Sequence, residues 1–320
     1  MSTSTRSPSV TVVLPTHDRP RLLAEAIASV RAQTWENWDL IVVDDASDPP
    51  ASIPDDPRCA LIRNVRSRGG AEAKNAGAFQ ARGDVLAFLD DDDLYAPSYL
   101  QRAVAALAED PELDVVFMGV SWFGERSEAG QRAYEQAMGA LLPTLHPFSS
   151  PRGGVLAFEP AELFRGLLRT VPMAFQRPVV RRSSFERIGP YQADILLWDC
   201  DWAIRAALQA RCALVTDGLY MQRASGQGFS SKSDRQREHL RSNALMKQRL
   251  LEGKLEAEGQ AAVRDALVEL WFGAAWSSSQ GGDQPRALEY LWNSARIRLE
   301  LGQLRLLARI LARAIGLVRG

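Results

Sequence analysis

The amino-acid sequence predicts an α/β fold, in which a mostly parallel sheet is covered by helices, followed by an α-helical C-terminal region. Short apolar and β-branched runs alternate with helical patterns over about the first 120 residues, which is typical of parallel sheets. From about residue 231 the pattern is helical almost throughout. We therefore expect two domains, an α/β domain over residues 1–230 and a helical region over residues 231–320.

Each element of the first domain follows from a local pattern. Apolar or β-branched runs predict strands at 10–16, 38–47, 59–64, 84–90, 114–122 and at the start of 177–189. A helix is predicted where Leu23, Ile27 and Val30 recur at helical spacing, and another after the glycine pair that begins at Gly69. The stretch from about 124 to 170 has clusters of Pro, Gly and Ser and predicts a variable insert.

Composition excludes several classes of protein. The formal net charge of -1 argues against nucleic-acid binding through bulk electrostatics. The three cysteines, Cys59, Cys200 and Cys212, lack the spacing of a metal site and suit a reducing cytosol. The N-terminus has no apolar secretion signal, and no apolar run approaches the roughly 20 residues that span a bilayer. We expect a cytoplasmic protein, attached at most peripherally to the inner face of the membrane.

Acidic residues follow the predicted strands at two places. Asp44 and Asp45 end the second strand, and four consecutive aspartates, Asp90 to Asp93, end the fourth. Ligands of open α/β sheets bind outside the carboxyl ends of the strands, so both places are candidate sites. Two carboxylates about 5 Å apart repel by roughly 3 kcal/mol at an effective dielectric constant near 20. Something must therefore offset the repulsion within the run of four.

A divalent cation is the partner that this run favours. Strand alternation predicts that Asp90 and Asp92 point together and that Asp91 points away. Two carboxylates on one face can hold a hard dication and leave positions for phosphate oxygens and water. Asp93 is a candidate cap of the following helix. The alternative for the whole run is a solvated acidic turn.

Four segments resemble, in the right order, those of the family 2 glycosyltransferases, which are nucleotide-diphospho-sugar transferases with the Rossmann-like GT-A fold. They are VVLPTHDRPRLLAEAIASVRAQTWENWDLIVVDDAS, GGAEAKNAGAFQARGDVLAFLDDDDL, PVVRRSSFERIGPY and WDCDWAIRAAL. The resemblance covers about the first 230 residues and leaves the last 90 uncovered.

The resemblance implies which residues contact the nucleotide of the donor. Asp45, with Asp44 beside it, matches the acid that contacts the base, and its carboxylate would accept the N3–H of uracil. The alternative for Asp44 is that it caps the following turn. Pro15 and Thr16 match backbone that borders the base, and Gly70 opens a helix whose N-terminus favours the diphosphate.

The resemblance also suggests basic donor contacts. Lys74 matches a usually basic position that faces the donor, although a solvated helix lysine is an equal alternative. Asn75 is expected to be a packing and hydrogen-bonding residue. Arg223 or Lys232 would meet the diphosphate from a loop that closes over it. His17 and Asp18 stand where the family usually has an aromatic residue and Asn, so the resemblance implies no function for them.

The aspartate run matches the family's DXD-like motif. The resemblance implies that Asp92 binds Mg²⁺ or Mn²⁺ directly and that Asp90 contacts the ribose or a metal-bound water, which makes Asp90 the second candidate for the metal site. Asp91 is a further candidate for contact with the nucleotide-sugar.

The segment WDCDWAIR resembles the family's acidic pair before a helix. The resemblance implies that Asp199 is the general base that removes the proton of the acceptor hydroxyl. Trp198 stands where the family has Glu, and we expect it to affect the local geometry or to form an apolar wall against a sugar ring. Asp201 is expected to be a helix cap or a partner of Arg205.

The resemblance implies a metal-dependent, inverting hexosyltransferase that uses a nucleotide-diphospho-sugar, most simply a UDP-sugar. The acceptor would be the hydroxyl of a glycan, a lipid-linked glycan or a small molecule, in surface polysaccharide or glycoconjugate assembly. Two alternatives are a catalytically inactive sugar-nucleotide or glycan-binding protein of the same fold and a nucleotidyltransferase.

The last predicted helix has arginines four residues apart, at Arg305, Arg309 and Arg313, with apolar residues between them. Such a basic amphipathic helix can lie on an anionic membrane surface. The alternative is a helix that packs on its own domain and has a solvated arginine face.

Overall fold

A mixed sheet forms the centre of the first part of this computed structural model, which describes residues 7–148, 153–224 and 235–314. The strands are β1 (Val10–Thr16), β2 (Trp38–Asp44), β3 (Cys59–Arg63), β4 (Val85–Phe88), β5 (Leu94–Tyr95), β6 (Val115–Phe123), β7 (Val155–Phe158), β8 (Pro178–Arg181) and β9 (Cys212–Arg223). They lie in the order β3-β2-β1-β4-β8-β6-β9-β5, and β7 pairs with β9.

The half of the sheet that holds the predicted acids is parallel. Strand β1 lies between β2 and β4 and is parallel to both, and β3 is parallel to β2. Strands β1, β2 and β4 are almost entirely buried, as their uninterrupted apolar runs require. Beyond β4 the sheet becomes mixed, because β8 runs antiparallel to both β4 and β6. The predicted α/β class is confirmed, with more antiparallel pairing than the sequence predicted.

Helices cover this sheet. They are α1 (Pro20–Arg31), α2 (Gly70–Gln80), α3 (Tyr99–Glu109), α4 (Ser127–Leu141), α5 (Pro160–Leu167), α6 (Arg182–Ile188) and α7 (Trp198–Gln209). Within the stretch that predicted a variable insert, α4, β7 and α5 are regular elements. Helix α4 was hard to see in the sequence because it buries little more than Met138 and Leu141.

The chain divides into two compact units. One comprises Met1–Asp194 and Trp198–Ser231, and the other comprises Ile195–Leu197 and Lys232–Gly320. The second unit is helical where it is described. Its helices are α8 (Gln236–Glu252), α9 (Ala257–Gln280), α10 (Gln284–Ala295) and α11 (Leu301–Ala314). Throughout the described ranges, no helix combines the length and the apolar character that crossing a membrane requires.

Helix α2 packs closely on β1 and β2 at Gly77. A Cβ atom at this position would overlap Val13 Cγ1 and lie 3.1 Å from Val43 Cγ2. Both valines are fully buried and have no room to move. We expect Gly77→Ala to lower the free energy of unfolding by about 1–3 kcal/mol, the usual cost of overpacking a core. Urea denaturation measures this change.

The matched control for Gly77→Ala is Gly139→Ala. Gly139 is also inside a helix, α4, but an added Cβ there would meet no atom within 4 Å. Its replacement should leave stability equal or slightly higher, because alanine is the better helix former. A similar loss of stability in both variants would show that close packing of α2 is not the cause.

Candidate active site

Asp45 follows β2 and organises the loop that leads into α2. Its carboxylate accepts hydrogen bonds of 2.7–2.9 Å from the side chains of Asn64 and Ser67 and from the backbone N–H groups of Arg68 and Gly69. Burial raises the pKa of Asp45, but these hydrogen bonds outweigh the burial and the net pKa is lowered. Asp45 is therefore charged at neutral pH and fixes the entrance to α2.

Asp44 is placed differently. It has no exposed surface, accepts hydrogen bonds from the backbone N–H groups of Ser47 (2.8 Å) and Ala51 (3.0 Å), and pairs with Arg63. Burial raises the pKa of Asp44, and the hydrogen bonds bring it below its usual value. This geometry favours the turn-capping alternative for Asp44. It leaves Asp45 as the candidate for contact with the nucleobase of the donor.

The role of Asp45 in the loop gives a pH-dependent prediction. Asp45→Asn should lower the free energy of unfolding at pH 7 by about 1–3 kcal/mol, because an amide NH₂ group would face buried N–H donors. A carboxylate whose pKa is lower in the folded state stabilises the protein above its unfolded pKa of about 3.9 and loses that effect as the pH falls through the folded pKa. The difference between wild type and variant should therefore shrink in the acid range.

Denaturant titrations at several pH values check this prediction. The control is Asp48→Asn, which replaces an exposed acid at the same end of the sheet. A difference between wild type and Asp45→Asn that stays constant with pH would contradict the role assigned to the Asp45 charge.

The end of β1 connects Asp45 with the aspartate run. The carbonyl of Thr16 accepts a hydrogen bond of 2.9 Å from the Asp45 backbone N–H, and the Thr16 hydroxyl donates to Asp91 at 2.8 Å. Pro15 is half-buried beside it. His17 Nδ1 lies 2.8 Å from the carbonyl oxygen of Asp45. The candidate residues on β1, after β2 and after β4 therefore meet at one edge of the sheet, as the parallel topology predicts.

The four aspartates form two pairs, each around one arginine. Arg19 Nη1 lies 2.9 Å from Asp91 Oδ1 and 3.1 Å from Asp92 Oδ2. Arg177 lies 3.6 Å from Asp90 Oδ2 and 3.7 Å from Asp93 Oδ2. The alternation predicted for a strand does not apply here, because β4 ends at Phe88 and the chain turns at Asp91 and Asp92.

Lys74 adds a further cation beneath the run. Its Nζ lies 2.6 Å from Asp90 Oδ1 and 4.8 Å from the centre of the Trp198 ring. Only 3% of Lys74 is exposed, so it is not a solvated helix lysine. Burial raises the pKa of Asp90, but Lys74 and Arg177 lower it more, to about 2. Asp90 is therefore charged and already paired.

The other three carboxyl groups of the run have pKa values above the usual value of an aspartate. Burial raises the pKa of Asp91, of Asp92 and, to about 7, of Asp93. The charge of Asp90 raises the pKa of Asp92 further. Asp93 accepts hydrogen bonds from the Tyr220 hydroxyl (2.9 Å) and from the backbone of Arg223 (2.8 Å). The predicted capping role of Asp93 is wrong, because α3 begins at Tyr99 and Asp93 instead contacts β9.

Arg223 reaches this cluster from β9. Its Nε donates to the carbonyl oxygen of Asp92 at 2.8 Å, and its Nη2 pairs with Glu25. Its guanidinium also lies 4.6 Å from the centre of the Phe123 ring. The side chain thus lies beside the aspartate run, where the sequence predicted a contact with the donor. Lys232, the other candidate for that contact, lies outside the described residues.

Arg177, like Arg19, is a residue of the cluster that sequence reasoning missed. Only 5% of it is exposed, its Nη2 donates to Gln222 at 2.8 Å, and its guanidinium lies 4.6 Å from the centre of the Tyr220 ring. Burial lowers the pKa of Arg177, and the charges around it, including those of Asp90 and Asp199, raise it. An arginine at the start of an apolar strand is a signal that could have found it, since a buried guanidinium needs acidic partners.

Asp199 lies in the first turn of α7, where the helix dipole favours a negative charge. It is half-buried, and its Oδ1 accepts a hydrogen bond of 2.8 Å from the Cys200 backbone N–H. Asp201 differs, because it is buried and accepts a hydrogen bond of 2.8 Å from Arg205. The predicted Asp201–Arg205 pair is thus present. Asp199 is the more accessible of the two acids.

Trp198 joins the start of α7 to the start of α2. Its ring packs edge-on to Tyr191 with 5.0 Å between centroids, and a Cβ atom on Gly70 would lie 3.6 Å from the indole. The side chain of Asn75 holds Tyr191 by two backbone hydrogen bonds of 2.8 and 2.9 Å, as expected of a packing residue. Trp198 therefore lines the same side of the cluster as Lys74 and Gly70.

The cluster offers oxygen ligands that suit Mg²⁺ or Mn²⁺. Asp90 and Asp92 keep part of their side chains exposed, and burial, followed by the charge of Asp90, raises the pKa of Asp92. Over the described ranges, no group of three or more His, Cys, Asp or Glu residues is arranged to hold a metal ion. A metal here would take at most two carboxylates and fill its other positions with ligand oxygens and water.

A separate groove of about 600 Å³ lies between α1 and the loop after β2. Thr16 and Arg19 contribute to its wall, but Asp45, Asp90 and Asp199 do not. The remaining wall is mainly apolar, with Leu23 and Ile53 among its residues. We therefore place the candidate active site at the aspartate cluster and not in this groove.

Comparison with known sequences agrees with this geometry. Residues 11–161 match the sequence model of the family described as Glycosyl transferase family 2. EpsE of Bacillus subtilis (strain 168), described as a glycosyltransferase, is 35% identical over 208 residues, which are 60% of this chain and 66% of EpsE. WfgD of Escherichia coli, named as a UDP-Glc:alpha-D-GlcNAc-diphosphoundecaprenol beta-1,3-glucosyltransferase, is 30% identical over 102 residues, which are 31% of this chain and 40% of WfgD. The aligned stretch is less than two thirds of either relative.

Solved structures show a related fold. TarS 1-349 of S. aureus in complex with UDP has a TM-score of 0.60 and 16% identity, over 91% of this chain and 81% of that one. The mannosyltransferase PcManGT from Pyrobaculum calidifontis, in complex with GDP-Man and Mn²⁺, has a TM-score of 0.55 and 19% identity, over 98% of this chain and 82% of that one. At these identities the likeness concerns the fold, and it confirms the predicted GT-A class with a helical C-terminal region.

Proposed function

The first unit of this chain belongs to the family 2 glycosyltransferases, and from this premise we propose that the protein is an inverting, metal-dependent hexosyltransferase. It moves a sugar from a nucleotide-diphospho-sugar to a hydroxyl acceptor. The observation that carries the proposal is the meeting of Asp45, the aspartate run and Lys74 at the carboxyl edge of the parallel strands. In such sheets this edge is where ligands bind.

We propose a uridine nucleotide as the donor. TarS binds UDP and UDP-GlcNAc, and the name of WfgD specifies UDP-Glc. In this chain Asp45 is charged and lies beside Thr16 and the start of α2, where it can accept the N3–H of uracil. The Asp45 carboxylate already accepts hydrogen bonds from the backbone of Arg68 and Gly69. Contact with uracil therefore requires this backbone to shift when the nucleotide binds.

Asp92 is the better placed of the two acids for direct contact with Mg²⁺ or Mn²⁺. Asp90 is already neutralised by Lys74 and Arg177, so it suits the ribose or a metal-bound water. Arg19 contacts both Asp91 and Asp92. It can remain paired with Asp91 when Asp92 binds a metal ion. A bound dication would offset the charge of the leaving nucleoside diphosphate. The Mn²⁺ in PcManGT supports this assignment.

Asp199 is the proposed general base. Its carboxylate takes the proton of the acceptor hydroxyl, whose oxygen attacks the anomeric carbon from the face opposite the diphosphate. A new glycosidic C–O bond forms, the bond from the anomeric carbon to the diphosphate oxygen breaks, and the nucleoside diphosphate leaves with that electron pair. One displacement inverts the anomeric configuration. Trp198 precedes Asp199 in the chain and contacts Lys74, and it would pack against the donor sugar.

The acceptor is proposed to be a glycan hydroxyl on a lipid-linked intermediate of surface polysaccharide assembly. The support is the name of WfgD, which specifies a diphosphoundecaprenol-linked sugar as its acceptor. Free glycans and small molecules are the other acceptors to test. We place the reaction on the cytoplasmic side of the membrane.

One observation favours a second candidate function, a sugar-nucleotide-binding protein without transfer activity. Trp198 replaces an acid of the family's pair and contacts Lys74. A protein of this kind would bind the donor and release no nucleoside diphosphate, whereas a transferase releases it slowly to water even without an acceptor. Donor hydrolysis with a divalent ion separates the two functions.

Thermal denaturation with a panel of sugar nucleotides, with and without Mn²⁺, tests the proposed donor class. A donor present at a hundred times its Kd stabilises the folded state by about 2.7 kcal/mol, which raises Tm by several degrees. We expect this shift with one or more UDP-sugars plus Mn²⁺. A shift with none of them, or with guanosine donors alone, would contradict the assignment of Asp45.

A further inference from the structure

Helix α11 presents an apolar stripe to its surroundings. Leu301, Leu304 and Leu311 are 71%, 46% and 52% exposed, and their spacing places them along one side of the helix. The opposite side holds Leu306 and Ile310, which are 1% exposed. The buried side accounts for the packing of α11 in its own unit, so the exposed leucines are not needed for that packing.

An arginine stripe lies next to the leucines. Arg305 and Arg309 are exposed and stand one turn apart on α11. Arg309 extends over the ring of Trp276 on α9, at 4.8 Å from the ring centre, and Trp276 is 41% exposed. Within the described part of the second unit, an aromatic ring, a basic row and an apolar row thus adjoin one another.

The charge of this helix differs from that of the whole chain. Leu301–Ala314 contains three arginines and no acidic residue, whereas the chain has a formal net charge of -1. An acidic residue one turn away from an arginine on the same helix pairs with it and stabilises the helix by about 0.2–0.5 kcal/mol. One turn away from Arg305 and Arg309 on α11 lie only leucine, glycine, alanine and arginine residues. The row therefore has no acidic partner on its own helix and is complementary to an external negative surface.

We propose that this surface, formed by Leu301, Leu304, Arg305, Arg309, Leu311 and Trp276, binds the face of a membrane that contains anionic lipids. The leucines enter the boundary between headgroups and acyl chains, the arginines contact lipid phosphates, and the tryptophan lies at the headgroup level. The helix lies in the plane of the surface. This proposal does not depend on the reaction that the first unit catalyses.

Another copy of this chain fits the surface less well. A symmetric dimer through α11 would bring the same basic helix from each copy, and α11 has no acid with which to pair those arginines. An anionic bilayer supplies both a partner for the guanidinium groups and an apolar layer for the leucines. We therefore commit to the lipid surface and treat self-association as an outcome of the test.

Vesicle flotation of the full chain tests the proposal. The vesicles are phosphatidylcholine alone and phosphatidylcholine with added phosphatidylglycerol. Wild type should bind the anionic vesicles at least about tenfold more strongly, and added salt should weaken this binding. The double variant Arg305→Gln with Arg309→Gln should lose most of that preference. Leu304→Asn with Leu311→Asn should lower binding to both kinds of vesicle.

The matched control carries Phe79→Asn and Arg132→Gln, which replace an exposed apolar residue and an exposed arginine of the first unit. It should bind vesicles as wild type does. Circular dichroism and Tm confirm that each variant is folded, and sedimentation reports its oligomeric state. Equal binding of wild type to both vesicles, unchanged binding by both double variants, or a leucine-dependent dimer that ignores vesicles would overturn the proposal.

Discussion

Replacing Asp199 by asparagine should lower kcat by about 10²–10⁴-fold, the range in which a general base contributes. Asparagine keeps the size of the side chain and can still accept the hydrogen bond that Asp199 accepts from the Cys200 backbone N–H. It cannot accept the proton of the acceptor hydroxyl. The Kd of the donor should stay close to the wild-type value, because the proposed donor contacts lie elsewhere. Initial rates and donor calorimetry measure the two quantities.

Asp201→Asn is the matched comparison for Asp199→Asn. Asp201 lies two residues further along the same helix, but it is buried against Arg205. Its replacement should lower the free energy of unfolding, because it leaves the Arg205 guanidinium with a neutral partner, while kcat per folded molecule stays near wild type. Asp199 would not be the general base if Asp199→Asn kept the wild-type kcat. The same conclusion would follow if Asp201→Asn lost kcat without losing stability.

Asp92→Ala should remove the effect of metal on nucleotide binding. If Asp92 is the direct ligand, Mn²⁺ should strengthen UDP binding by wild type, and the variant should lose about a hundredfold of that gain, or roughly 3 kcal/mol. Binding of UDP without metal should change little, because removal of one carboxylate also removes a repulsion from the diphosphate. Calorimetry with and without Mn²⁺ separates these terms.

Asp91→Ala is the control for Asp92→Ala. Asp91 shares Arg19 with Asp92, but it is almost fully buried and its other oxygen accepts the Thr16 hydroxyl hydrogen bond. The loss of Asp91 should lower stability and leave most of the metal effect in place. Tight, metal-dependent binding of UDP by Asp92→Ala would refute the metal assignment.

Strands β1, β2 and β4 of the parallel half were predictable because they are almost entirely buried. The uninterrupted apolar runs of β1, β2 and β4 define their positions, and the acids that follow β2 and β4 mark where each strand leaves the core. Parallel topology then brings those strand ends to one edge. Location of the site therefore follows from the local sequence.

The pairing inside the aspartate cluster was not predictable in the same way. Arg19 lies directly before α1, and Arg177 lies directly before β8. Both are distant from the aspartate run in sequence, and only the tertiary structure brings them into contact with it. Strand alternation misled because β4 ends before the first aspartate. For the repulsion within the run the sequence predicted a dication, whereas among the described residues Arg19, Lys74 and Arg177 also lie at the carboxylates.

Helix α4 and strand β7 were missed for a related reason. Helix α4 buries little of its surface, so its sequence lacks the broad apolar face that marks a core helix. Strand β7 is a four-residue partner of β9, too short for its apolar pattern to stand out. Neither element contributes to the residues of the candidate site.

Analysis of the products formed from a UDP-sugar, Mn²⁺ and a lipid-linked glycan acceptor tests the central claim most directly. NMR of the new glycosidic linkage, together with assay of the released nucleotide, reports both the bond that breaks and the stereochemistry. We predict one UDP released per sugar transferred and an anomeric configuration opposite to that of the donor. Retained configuration, or release of uridine monophosphate or pyrophosphate in place of UDP, would contradict the proposed mechanism.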